Sequence, residues 1–85
     1  MTVHIEERAK KQLRKLPKHI QQKTYRQLEV FLDNPKHPSL AIKKMANSPL
    51  YEARIDYHYR FRFLWEQDAI HIVSIGIHDT GLGKK

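Results

Sequence analysis

The chain has 85 residues, of which 40% are hydrophobic and 29% charged, enough for one modest core and for a single domain spanning 1–85. Sixteen Lys and Arg against nine Asp and Glu leave a formal charge of +7, so the expected partner is a polyanion: nucleic acid, or an acidic protein that masks a nucleic-acid site. The absence of cysteine excludes a disulfide scaffold, a cysteine nucleophile and a thiolate metal site, and the three glycines form no phosphate-cradling loop. No apolar run approaches the length of a membrane span and the N-terminus lacks the apolar stretch of a signal peptide, which predicts a cytoplasmic protein with no membrane partner.

In chain order, Met1 to Ile5 alternates Val3 and Ile5 against Thr2 and His4 and predicts a short strand. From Glu6 the period becomes helical: Ala9, Leu13 and Leu16 recur on one face, acids open the segment and bases close it, and Pro17 stops it. A second helix is predicted from Pro17 or Lys18 to about Asp33. Its buried stripe is Ile20, Thr24, Leu28, Phe31 and Leu32, and Asn34-Pro35 ends it. The short break predicts a helical hairpin. Residues 34–49 hold three of the four prolines and read as a connection with a short strand or turn near Leu40 to Met45, Lys43-Lys44 forming its charged tip.

From Leu50 the period is two. Tyr51, Ala53 and Ile55 alternate with Glu52, Arg54 and Asp56, then Tyr59, Phe61, Phe63 and Trp65 alternate with Arg60, Arg62, Leu64 and Glu66, and Ala69 to Ile77 is a nearly continuous apolar run, as in a central strand buried on both faces. Pairing Tyr51 opposite Phe63, Ala53 opposite Phe61 and Ile55 opposite Tyr59 makes one face wholly apolar, and a slip by one residue would ruin both faces. That register sets Arg54 beside Arg60 and Glu52 beside Arg62 on the other face. The connecting turn, centred on Tyr57, has no glycine, so Asp56 or His58 is expected to take an unusual backbone angle. The fold class is α+β: a short N-terminal strand and an antiparallel helical hairpin packed on one face of a mainly antiparallel sheet with three C-terminal strands. Like charges on adjacent strands are unfavourable, and phosphate from outside would relieve them; a solvated face with Arg62 paired to Glu52 is the plainer alternative.

The order of these pieces resembles the RelE/ParE toxin superfamily. The resemblance is carried by the run Ala9-Lys10-Lys11-Gln12-Leu13-Arg14-Lys15-Leu16-Pro17, by Asn34-Pro35 with Pro38-Ser39-Leu40, and by Lys43-Lys44-Met45. It continues in Tyr51-Glu52-Ala53-Arg54-Ile55, Tyr59-Arg60-Phe61-Arg62-Phe63 and Ile75-Gly76-Ile77-His78-Asp79. It implies a toxin of a type II toxin–antitoxin module, neutralised by an acidic antitoxin. RelE-like members cut mRNA on the ribosome without a cofactor; ParE-like members poison DNA gyrase and are not nucleases. A catalytically inactive binding member is a third reading.

Metal-free RNA cleavage uses the ribose 2′-OH against the adjacent phosphate and needs a base, cations on the phosphoryl oxygens and an acid for the leaving 5′-oxygen. By the resemblance, Arg60 binds the scissile phosphate, Arg54 is a second cation and His78 is the acid. Arginine stays protonated and is a poor base, so Glu52 and His58 are the nearest candidates for that role, by position only. Lys43, Lys44, Arg62 and His58 are the expected RNA-binding residues. His78 could instead cap the sheet edge and His58 be a turn residue. The family's C-terminal aromatic has no counterpart after His78. The six histidines show no H-x-x-x-H or H-E-x-x-H spacing, so neither a metal nor a cofactor is expected.

Overall fold

The computed structural model describes residues 1–77. Strand β1 (Thr2–Ile5) leads into helix α1 (Glu7–Arg14) and helix α2 (Lys18–Asp33). A 3-10 turn at Pro38–Leu40 precedes β2 (Lys43–Lys44), β3 (Tyr51–Arg54), β4 (Tyr59–Glu66) and β5 (Ala69–Ile77). The strands form one sheet in the order β1-β5-β4-β3-β2. Pairing is antiparallel throughout except between β1 and β5, which run parallel and therefore need the helical crossover between them.

Local chemistry explains where the helices stop. Pro17 separates them, and the side-chain amide of Gln21 reaches back from α2 to donate to the Leu16 carbonyl (2.9 Å) and the Arg14 carbonyl (3.3 Å), two acceptors freed at the end of α1. Thr24 is fully buried in α2 yet satisfied, its hydroxyl donating to the Ile20 carbonyl one turn earlier (2.8 Å). Both helices bury apolar stripes against one face of the sheet. Ala9, Leu13, Ile20, Leu28 and Phe31 close over Ala53, Ile55, Phe61, Phe63, Ile70, Ile72 and Ile75 in a single core. At its centre Phe31 meets Phe63 edge-on, with ring centroids 5.3 Å apart, and tilts against Trp65 at 5.2 Å. Leu32 departs from the expected stripe: it is 48% exposed, because the i, i+4, i+8, i+11 row through Ile20, Thr24, Leu28 and Phe31 already fills the contact with the sheet.

The expected β3–β4 register is the observed one, with Tyr51 opposite Phe63, Glu52 opposite Arg62, Ala53 opposite Phe61 and Arg54 opposite Arg60. Two other expectations are corrected. Strand β5 is buried on one face only. Its partners shift between Arg62 (opposite Ser74) and Phe63 (opposite Ile72), so a bulge at Val73 moves the inward set from Ile70 and Ile72 to Ile75. A period of two with one slipped phase reads in sequence as an unbroken apolar run. Beyond the reach of β1, the backbone N–H of Ile75 donates to the side-chain oxygen of Gln12 on α1 (2.8 Å), which takes the place of a neighbouring strand.

The β3–β4 turn is the second correction. Neither Asp56 nor His58 has a positive φ; among the described non-glycine residues those that do are Ala41 (45°), Asn47 (56°) and Gln67 (44°). The carboxylate of Asp56 holds the turn instead, accepting from the backbone N–H of His58 (2.9 Å) and of Tyr59 (3.1 Å), and this Asx-type bonding removes the need for glycine.

Candidate functional site

Opposed residues on paired strands point to the same side of a sheet, so register alone assembles the face away from the helices. One row crosses Lys43, Glu52, Arg62 and Ser74; the next crosses Arg54, Arg60 and Gly76. Four expected site residues, Arg54, Arg60, Arg62 and Lys43, are thus gathered on one face. Lys44 is not among them: it opposes Tyr51, whose ring stacks on Phe63, and so belongs to the helix side at the sheet edge. His58 lies in the β3–β4 turn at the end of the Arg54–Arg60 row. His78 lies outside the described residues. Gly76 leaves a gap beside Arg60, since a Cβ built there would meet no atom within 4 Å.

The two rows differ electrostatically. Arg62 Nε stands 3.3 Å from Glu52 Oε2, and Glu52 is only 5% exposed, so this pair is an internal charge couple in the floor of the face. That position ties the Glu52 carboxylate to a cation and takes it out of solvent. Arg54 is exposed and faces Arg60 directly. Burial first, and the Arg54 charge second, lower the Arg60 pKa from its ordinary value, while the attraction of Glu52 and Asp56 works in the opposite direction. The Arg54–Arg60 row is therefore a pair of directly opposed cations, with the acids Glu52 and Asp56 close enough to Arg60 to offset part of the repulsion.

Arg60 has a second task. Its Nη1 donates to the carbonyls of Asp56, Tyr59 (2.9 Å) and Tyr57 (3.4 Å), so the guanidinium braces the turn from inside. From the helix side, Lys23 Nζ stands 3.7 Å from Asp56 Oδ2, and the Gln27 amide donates to the Arg54 carbonyl (2.9 Å). A guanidinium held this firmly has a fixed direction, which favours anion recognition through its remaining N–H groups.

Sequence reasoning missed two features. His4 and His71 stack on the same open face, ring centroids 5.0 Å apart and nearly parallel, and His71 Nε2 stands 3.1 Å from Glu66 Oε1. Parallel β1–β5 pairing brings them together, and nothing in the local pattern announces a parallel pair 67 residues apart in sequence. Tyr57 is the other, an aromatic at the turn between two arginines that is 81% exposed. Among the described residues no group of three or more His, Asp or Glu could hold a metal ion, and no helix is long and apolar enough to cross a membrane.

A two-helix layer on one face of a five-stranded sheet, with a pair of opposed arginines on the other face, defines a small basic α+β protein. No protein-family model and no curated protein sequence matches the chain. Solved structures do. The chain is similar to the archaeal RelE–RelB complex from Pyrococcus horikoshii OT3, with a TM-score of 0.74, 22% identity and coverage of 96% of this chain and 97% of that one. Against the intact E. coli RelBE toxin–antitoxin complex the TM-score is 0.72 at 20% identity, covering 93% and 98% of the two chains. The YoeB/ParE toxin from Agrobacterium tumefaciens gives 0.74 at 10% identity, covering 93% and 100%. The fold is that of the RelE/ParE toxin superfamily.

Proposed function

We propose that this protein is the toxin of a type II toxin–antitoxin pair, a RelE-like endoribonuclease that cuts mRNA on the ribosome, needs no metal or cofactor, and is neutralised in the cytoplasm by an acidic antitoxin. The observation that carries the reading is the Arg54–Arg60 pair, directly opposed on β3 and β4 and oriented by the turn. In this reading phosphate is the anion that the two guanidinium groups receive. Arg60 holds the phosphoryl oxygens of the scissile link, Arg54 and Lys43 hold flanking phosphates, and the gap at Gly76 admits the ribose–phosphate chain. His78 is proposed as the acid for the leaving 5′-oxygen, since imidazole titrates near neutral pH. Arg62 serves the site as partner of Glu52 more than as a direct contact, and His58 borders it at the turn.

Expression without an antitoxin should arrest growth, and mapping mRNA 5′ ends after induction should reveal new cuts. Arg54→Ala and His78→Ala should abolish the cuts while the protein remains folded. Undiminished toxicity in both variants refutes the nuclease reading. One observation favours a second reading, a ParE-like gyrase poison: Nη1 of Arg60 is spent on backbone carbonyls and the described face contains no uncommitted carboxylate base. That reading predicts DNA-damage signalling with intact mRNA.

A further inference from the structure

We infer that Tyr57 is a stacking platform for one base of a single-stranded RNA whose phosphates lie on Arg54 and Arg60. The inference rests on RNA being the ligand of the arginine face and adds to it the element that grips a base. An exposed aromatic by itself means little. Tyr57 differs because the backbone that carries it is held from several sides while its large ring is offered to solvent.

The turn that carries it is fixed three ways. The Asp56 carboxylate accepts the N–H groups of His58 and Tyr59, Lys23 pairs with that carboxylate from α2, and Arg60 Nη1 bonds the carbonyls on both sides of Tyr57 and that of Tyr57 itself. Among the described residues the Tyr57 ring meets one other ring, that of His58, perpendicular at 4.8 Å, and it remains 81% exposed. His58 thus buttresses one side of the ring and leaves the rest open. A rigid aromatic one residue from a guanidinium-bound carbonyl matches the repeat of single-stranded nucleic acid, in which each charged phosphate is followed by a flat base. Cation and π-face are the two components such sites combine, and stacking on tyrosine is tolerant of base identity. A folded acidic protein would contact the same charges without needing a base-sized ring, so it is the competing occupant.

The test uses the full chain and a short 2′-O-methyl RNA, which lacks the nucleophile and cannot be cut. Tyr57→Ala should weaken binding about tenfold, and Tyr57→Trp should preserve it. Replacing bases of the RNA one at a time by abasic sites should reveal one position whose loss costs the parent protein about tenfold and costs Tyr57→Ala almost nothing. Thermal unfolding of Tyr57→Ala should match the parent, because the exposed ring supports no core contact. Equal RNA affinity of parent and Tyr57→Ala, or abasic losses identical in both, overturns the platform while leaving the nuclease reading intact. A Tyr57→Ala defect confined to an acidic antitoxin also overturns it and assigns the ring to that protein. Failure of the parent itself to bind the RNA sinks the ligand assignment and the platform together.

Discussion

Neutralising Arg54 should make the protein more stable and less able to bind RNA. Arg54→Gln keeps a long polar side chain at an exposed strand position and removes one charge of a directly opposed pair. Like charges at such positions cost a few tenths to about 1 kcal/mol, and exposure of Arg54 to solvent argues for the lower half of that range. The Arg60 pKa has the matching sign. A cation whose folded-state pKa is depressed penalises the folded state at every pH where it is charged, neutral pH included, and the penalty fades only as pH rises toward its pKa. Burial is the larger cause and persists in the variant; the Arg54 contribution disappears. A gain of about 0.5 kcal/mol in an 85-residue domain corresponds to roughly 2–4 °C in Tm. Because the effect is electrostatic, it should be largest at low ionic strength and shrink toward zero near 1 M salt, where the Debye length is about 3 Å.

Binding should move the other way. Each phosphate contact with a single strand contributes about 0.7 to the slope of log affinity against log salt, so the variant's slope should be shallower by about that amount. The assays are thermal unfolding and RNA anisotropy, each at several salt concentrations, with Arg54→Lys as a charge-preserving control. A variant that is destabilised at low salt, or that binds RNA with an unchanged salt slope, refutes the reading of Arg54 as a phosphate contact set against a like charge.

Other substitutions probe the frame behind the site. Gly76→Thr fits sterically and suits a strand, so unfolding should occur at equal or higher temperature while mRNA cutting falls at least tenfold as the gap beside Arg60 closes. Gln12→Ala strands the Ile75 N–H at the uncovered edge of β5 and should cost about 1–3 kcal/mol, read as a lower urea midpoint with unchanged m-value. Phe63→Ala removes a fully buried ring shared by Phe31, Phe61, Tyr51 and Trp65. It should cost about 3–5 kcal/mol, leaving a large unfolded fraction by circular dichroism. Gln67→Gly relieves a left-handed backbone in the β4–β5 turn and should raise stability by up to about 1 kcal/mol, visible as a higher Tm.

Much of this molecule is written in local pattern. Helix periodicity bounded by Pro17 and Asn34-Pro35, and the alternation of Tyr51 to Trp65, determine two helices and a strand pair, because side-chain periods of 3.6 and 2 leave one way to bury each stripe. The same register puts Arg54 against Arg60, so the cationic pair was legible before any coordinates. Three things depended on contacts between segments far apart in sequence. The bulge in β5 is a property of pairing with β4 and hides within a run of apolar residues. Lys43 and Lys44 look alike in sequence, and only the β2–β3 register sends one to the arginine face and the other to the helix side. The rigidity of the β3–β4 turn, and with it the exposed ring of Tyr57, comes from Lys23 on α2, the Asp56 carboxylate and the Arg60 guanidinium converging on one loop. Convergence of that kind has no period, so it is decided only when the helices close on the sheet.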